Sequence, residues 1–430
     1  MILTSYRTSC AQDKAFEWED ESLNPRQIQL LGTENNELVI HYIQHNKATG
    51  YEAKVYKSYL VFPRDGLFKP RKIALPYSMN VKGIGYAGDF YFLIAAHREG
   101  FMDIPDGKVT IFKVDKEGIS ISGIMDVNMD GERDRVIFSE GGINYTISTI
   151  KKPSRIRIRR IKEFNIEVFD FPVQKEQLLS LSESVVVPQA QSEISPSIPN
   201  QKVFIRNGKI MIASRSTGAT EKGGMLSLHE FPLTNPPTIN TRTMIPPGTR
   251  GKFDFFPFGE SMLLYEIDER GAKIDIMDMN TLKVLKSFST DEPGAPMLKG
   301  KLCETGIFGR NNEVFRKEES EKEKLSLITR FRPWIQAWPV NDSNVKISYG
   351  DYSSKGERQQ YEYVYLNLFL NPVSLEIVDQ DPGPTKRQIL LDQLFGERKL
   401  KIENTTTFYS KGAAFVLEFD DARNSITIWK

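Results

Sequence analysis

The chain has little cysteine, little histidine and no long apolar run, and each shortage excludes a class of protein. Two cysteines, Cys10 and Cys303, in 430 residues exclude a disulfide-stapled scaffold and a multi-cysteine zinc module. The four histidines are His41, His45, His97 and His229. His41 and His45 share a face of a strand-like stretch, but no third zinc ligand accompanies them. Apolar runs such as 90–96 fall far short of the ~18 residues of a membrane span. Charge of one sign is missing too. With 57 Lys+Arg against 56 Asp+Glu and a net charge of +1, the basic excess of a dedicated nucleic-acid binder is absent. Residues 1–10 carry neither a basic n-region nor an apolar h-region, so no secretory signal is visible. Thr8 and Ser9 before Cys10 give the small residues of a lipoprotein box, with Arg7 where that box wants a leucine.

What is present is strand. A hydrophobic share of 40% is enough for a core, and the length allows two or three ordinary domains or one large closed repeat. Helical periodicity is confined to 385–398. Elsewhere short runs rich in Val, Ile, Phe and Tyr alternate with period two and are bounded by Gly, Asn and Asp. They recur as strand pairs: 90–95 with 109–114, 210–214 with 225–229, 262–267 with 273–277, and 415–419 with 425–429. Weaker copies begin near Leu38, Arg135, Gly306 and Val345. Eight starts spaced by roughly 54 residues fit the repeat length of propeller blades with some long insertions. The expected fold is all-β, a single β-propeller of seven or eight four-stranded blades over 1–430, in which no unit is stable alone. Asn207-Gly208 is a two-residue hairpin signal. The N-terminal segment 1–30, with a short strand around 16–18, is expected to close against the C-terminal strand. The proline-rich 187–201 reads as an inter-blade linker, and the charge run 316–324 as a solvated loop.

The sharpest local signal is DVNMDGERD at 126–134. Asp126, Asn128, Asp130 and Asp134 stand at relative positions 1, 3, 5 and 9, with Gly131 at the sharp turn and the Glu132 carbonyl at position 7. A hard cation such as Ca2+ wants six to eight oxygens, and this spacing supplies most of them. An EF-hand would need a carboxylate at position 12, where Ile137 stands, and flanking helices where strands are expected. The segment therefore resembles the calcium loop of FG-GAP repeats in integrin-type and related bacterial propellers. That resemblance covers about a dozen residues and implies a structural calcium on Asp126, Asn128, Asp130, Glu132 and Asp134. Asp278-Met279-Asn280-Thr281 after a strand is similar to the YVTN class of propeller repeats, one blade deep. The alternative for 126–134 is a plain Asp/Asn/Gly turn.

Other signals carry less. Gly83-Ile84-Gly85-Tyr86-Ala87-Gly88 has the letters GxGxxG, but a strand follows where a dinucleotide site needs a helix; it reads as flexible glycines ahead of a blade strand. Arg155, Arg157 and Arg159 line one face of RIRIRR, either as an anion- or partner-binding strip or as edge charges that discourage pairing. Trp334 and Trp338 are candidates for stacking on a ligand, with the core as the alternative. No GxSxG, HExxH, P-loop or CxxC occurs. The expected function is a non-catalytic, extracytoplasmic propeller that binds a protein or glycan partner as a monomer, without nucleic acid. A hydrolase or lyase with acidic residues at the central channel is the alternative, and a cytoplasmic scaffold the third class.

Overall fold

The computed structural model describes residues 14–429 apart from 20–24, 33–37, 46–55, 63–70, 76–78, 98–107, 117–119, 175–183, 187–199, 217–223, 247–251, 268–270, 292–293, 306–312, 316–319, 331, 342–343, 356–359, 379–404, 411–412 and 421–424. Cys10, the helical stretch 385–398 and nearly all of the linker 187–201 lie outside the described residues.

The chain is an all-β propeller, and the described residues form seven sheets. The first holds β2 (Pro25–Gly32), β3 (Leu38–His45), β4 (Tyr56–Phe62) and β5 (Arg71–Ala74), in sequence order. The second holds β6 (Met79–Ala87), β7 (Phe90–His97), β8 (Lys108–Asp115) and β9 (Ile121–Asn128). The third holds β10 (Arg133–Glu140), β11 (Ile143–Lys151), β12 (Ser154–Lys162) and β13 (Asn165–Pro172). In the fourth, β14 (Ser184–Val186) runs parallel to β15 (Gln201–Arg206), and β16 (Lys209–Ser216), β17 (Met225–Phe231) and β18 (Asn240–Met244) follow antiparallel. The fifth holds β19 (Phe253–Phe258), β20 (Ser261–Ile267), β21 (Ala272–Asp278) and β22 (Val284–Ser289).

The sixth sheet departs from sequence order. Its strands β23 (Cys303–Thr305) and β24 (Glu313–Phe315) precede β25 (Arg332–Asn341), β26 (Asn344–Lys355) and β27 (Gln360–Leu370), yet the spatial order is β24-β23-β27-β26-β25. The last sheet joins the termini. It contains β28 (Thr405–Ser410), β29 (Ala413–Asp420), β30 (Ser425–Trp429) and β1 (Lys14–Glu19), with Trp18 opposite Ile426. Pairing β1 with β30 gives the backbone N–H and C=O groups along that side of β30 a partner. Edge strands of successive sheets touch one another: β28 with β2, β2 with β6, β6 with β10, β10 with β14, and β19 with β25.

Alternation explains the packing. In β12 the face bearing Ile156 and Ile158 turns to the fourth sheet, joining Phe169 and Phe171 to Val203, Ile212 and Phe231 in one buried cluster. Each such side chain contributes about 1.5–3 kcal/mol on leaving water. A second cluster runs unbroken through the fourth, fifth and sixth sheets, from Leu228 through Phe255 and Ile276 to Ile347. Two of the three glycines of the GxGxxG letters, Gly83 and Gly85, lie inside β6, where close approach requires them, while Gly88 sits in the turn before β7 at φ 55° with open space around it. A Cβ on Gly85 would stand 2.7 Å from the Gly142 carbonyl oxygen, and one on Gly83 would meet the Ser139 hydroxyl. Tyr86 N–H donates to the same Gly142 carbonyl at 3.1 Å. Gly83 and Gly85 are spacers between two sheets, which corrects the expectation for those two; Gly88 stands in a turn ahead of β7 as expected.

The charge run also needs correction. From Ser320 onward it is the cap and body of a helix, α1 (Glu321–Ile328), with Ser320 and Glu323 forming a reciprocal capping box. That box satisfies two N–H groups that a helix start leaves open. Lys324 fixes the helix by donating to the carbonyls of Leu298 at 3.0 Å and Gly300 at 2.8 Å. Among the described residues no helix is long and apolar enough to cross a membrane.

Candidate functional site

The connector from β9 to β10 and the arginine face of β12 meet at one place, the seam between the second and third sheets. Asp126 and Asn128 are exposed at the end of β9, two residues apart and on one face. Asp126 Oδ1 accepts from the Thr110 hydroxyl at 2.7 Å. Asn128 Oδ1 accepts from the Asp130 N–H at 2.8 Å, which tightens the turn, and Gly131 completes it at φ 75°. Met129 is driven inward, fully buried beside Val127 and Ile161. Its burial anchors the turn and carries Glu132 into the seam.

There the Glu132 side chain, 2% exposed, receives two guanidinium groups. Arg159 Nη1 donates to Oε2 at 2.7 Å and Nη2 to Oε1 at 2.5 Å. Arg157 Nη1 donates to Oε1 at 3.1 Å, and the Ser148 hydroxyl to Oε2 at 2.5 Å. Asp170 of β13 completes the ladder: Arg157 Nε donates to Oδ1 at 2.6 Å and Nη2 to Oδ2 at 2.8 Å, while Arg155 Nη1 donates to Oδ2 at 3.0 Å. Strand register makes this row, since Ser148, Arg157 and Asp170 are directly opposite across β11, β12 and β13. Burial favours the neutral Glu132, but Arg159, Ser148 and Arg157 outweigh it and hold the carboxyl below its ordinary range. Arg157 likewise pulls Asp170 down.

The two strongest sequence signals are thus one structure, which neither motif indicated alone. Glu132, expected to lend calcium its carbonyl, instead commits its side chain to arginines. Its carbonyl accepts from Arg135 Nη2 at 3.2 Å, as does the Met129 carbonyl at 3.0 Å. Asp126, Asn128 and Asp130 keep oxygen-bearing side chains exposed, a donor set that suits a hard cation; the Asp134 side chain lies outside the described residues. Among the described residues no three His, Cys, Asp or Glu side chains gather as a metal site.

Trp334, 2% exposed, packs against Tyr363 and Tyr365 with ring centroids 4.8 and 5.6 Å away, and Trp338 is 6% exposed. Both indoles are core in this conformation. His229 lies in the fourth sheet, with Nε2 3.4 Å from the Ser214 hydroxyl and Nδ1 3.1 Å from that of Thr241. Burial pulls its pKa down to about 4.

A second buried ion pair had no sequence signal. Lys202 of β15 reaches the fifth sheet, donating to Asp254 Oδ1 at 2.9 Å and to the Phe255 carbonyl. Asp254 Oδ2 accepts the Ile335 N–H of the sixth sheet at 3.0 Å, so one carboxylate ties three sheets. Asp170 could have been found from sequence, because a turn at Glu163-Phe164 sets it opposite Arg157. The Lys202–Asp254 pair spans 52 residues and depends on how sheets pack.

No protein-family model matches the chain, and no curated protein sequence matches it. Solved structures do align with it. The chain is similar to the β-propeller domain of the trilobed protease from Pyrococcus furiosus, 10% identical over 95% of this chain and 94% of that one, with TM-score 0.39. The Dos1 propeller is 9% identical over 97% and 95%, with TM-score 0.37. A prolyl endopeptidase is 12% identical over 91% of this chain, with TM-score 0.38. The chain spans 45% of that enzyme's length.

Proposed function

We propose that the chain is a non-catalytic binding module of the extracytoplasmic space, a propeller scaffold for a protein or glycan partner with a structural calcium ion on its 126–134 connector. One observation supports it above others. Four of the six buried carboxylates among the described residues, those of Glu132, Glu230, Asp254 and Asp275, are each engaged by a cationic side chain. A general acid needs a raised pKa, whereas Glu132 and Glu230 are held below the ordinary range by their cations against the opposing effect of burial. Such groups act as struts.

Calcium would be held by Asp126, Asn128 and Asp130, with the Glu132 side chain left to its arginines. The extracytoplasmic address follows from the metal, because extracellular modules bind calcium in the range of about 10⁻⁴–10⁻³ M. The expected alternative is a hydrolase or lyase with acidic residues at the central channel; a different hydrolase has one contact in its favour, Ser214 Oγ to His229 Nε2 at 3.4 Å. Its imidazole faces Thr241 where a carboxylate would orient it.

Calorimetric titration with calcium, and melts in calcium against EGTA, test the metal and the address together. The expected result is binding heat and a higher Tm, both lost in Asp130→Ala. Identical melts and no heat would remove both. Turnover of a glycan or peptide that disappears in Ser214→Ala would replace the binding module by the hydrolase.

A further inference from the structure

We infer that the inner edge of β15 is a strand-addition site for an extended peptide of a protein partner, closed in this conformation by β14, which occupies it as a displaceable plug. The inference rests on the binding-module reading and names how that module takes a protein.

β14 is supernumerary. Strands β15 to β18 already make a four-stranded antiparallel sheet, as in the second, third and fifth sheets. β14 adds a fifth strand along β15, on the side where β10 of the third sheet meets it. Three residue pairs hold it, Ser184 with Gln201, Val185 with Lys202 and Val186 with Val203. Every other strand pair among the described residues is antiparallel. Parallel pairing is the weaker kind per residue, and β14 has only 3 residues, short of the usual five or six.

β15 keeps its place without β14. It is paired with β16 over its whole length, Gln201 to Arg206. Lys202 ties it to Asp254 and the Phe255 carbonyl of the fifth sheet. Just before it, the Asn200 carbonyl accepts the Arg215 N–H at 2.8 Å and Asn200 Oδ1 accepts from Arg215 Nη2 at 2.9 Å. With β14 withdrawn, the edge presents backbone N–H and C=O groups that another extended chain can pair.

The tether gives β14 room to leave. Because the two strands run parallel, the chain must return from Val186 to Gln201, about 7 Å back along the strand and about 5 Å across. Residues 187–200 would span roughly 45 Å if extended. The connection is far longer than the pairing requires, so β14 can withdraw without pulling on β15. Pro188, two residues past Val186, has no N–H to add to the ladder.

The seat defines the peptide. Val186 is half-buried and packs against the cluster that holds Val203, Ile212 and Phe231. A partner therefore needs an apolar, β-branched residue at that position, while its main chain supplies the ladder. Lys202, beside Val185 in register, has its ammonium committed to Asp254, so it selects no acidic residue.

The test uses the full chain and a fluorescent peptide with the sequence of residues 182–187, followed by anisotropy. Val186→Asp unseats β14 and should bind the peptide at least about tenfold more tightly than wild type, because an edge open no more than about a tenth of the time weakens a ligand by that factor. The same peptide with aspartate at the position of Val186 should bind neither protein. Ser184→Cys with Gln201→Cys, neighbours in register, should lose peptide binding on oxidation and regain it on reduction, a comparison made within one folded protein. A folded Val186→Asp variant that binds no more tightly than wild type, or equal binding by the oxidised and reduced lock, would overturn the inference. Cleavage of the bound peptide would instead overturn the non-catalytic reading, and a failed calcium titration the metal; in both cases the lock still decides the β15 site.

Discussion

Arg159 and Glu132 are 27 residues apart in sequence and meet through two hydrogen bonds, with side chains 6% and 2% exposed. The pair joins a connector to the third strand of the sheet that follows it. Removing one partner leaves the other charged and buried, a far larger loss than the pair's net contribution. Glu132→Ala is expected to destabilise by about 3–5 kcal/mol, read by urea denaturation. Replacing both with apolar residues, Glu132→Leu with Arg159→Met, should recover most of that loss despite the absence of any ion pair. A double variant as unstable as the single one would refute the clamp.

Acid should act on the fold in two stages. The pKa of His229 falls from 6.5 to about 4 on folding, through burial. Between those values the unfolded chain binds the proton and the folded one does not, so stability is complete above 6.5 and declines as pH falls towards 4. Full desolvation would make this up to about 3 kcal/mol. Glu132 adds a lower stage: its folded pKa lies below the ordinary carboxylate value, so its contribution is present above that value and is lost as pH falls through the folded one. Melts from pH 8 to 3 should show both declines. His229→Gln should flatten the upper and Glu132→Gln the lower; a profile unchanged by either would contradict the assignment.

Particular residues show how far sequence reaches here. The strand starts near 38, 90, 209, 261 and 413 coincide with β3, β7, β16, β20 and β29, because these strands are short, mostly apolar runs whose described side chains are largely buried. The start near Gly306 lies outside the described residues, just past β23, which is a late strand of the sixth sheet placed early in the chain. Eight starts therefore correspond to seven sheets among the described residues; periodicity reports strands, not which sheet a strand joins. The site divides in the same way. Asp126, Asn128 and Asp130 are legible because a turn is local. The bond between Glu132 and Arg159 depends on the packing of two sheets, and a one-dimensional pattern carries no term for it.

Trp334 separates core from ligand platform. With 2% exposure and two tyrosine rings against it, Trp334→Ala should cost about 3–5 kcal/mol, whereas a stacking residue at a mouth would cost little stability and much affinity. Denaturation together with partner titration distinguishes them: unchanged stability with lost binding would return Trp334 to the surface.

Gly85 offers the most direct test of how the second and third sheets approach. The space its missing Cβ leaves is taken by backbone, the Gly142 carbonyl oxygen at 2.7 Å, and backbone cannot rotate away as a side-chain tip can. Gly85→Ala must push β6 from the β10–β11 turn or strain the Tyr86 N–H bond to that carbonyl. A cost of about 1–3 kcal/mol is expected, in the range of overpacked cores. Gly123→Ala is the matched comparison, because its Cβ would meet the Phe164 ring at 2.8 Å, a side chain with rotamers to spare. If Gly85→Ala proves no more harmful than Gly123→Ala, β6 has room to move, and the close contact between the sheets is not a requirement of the fold.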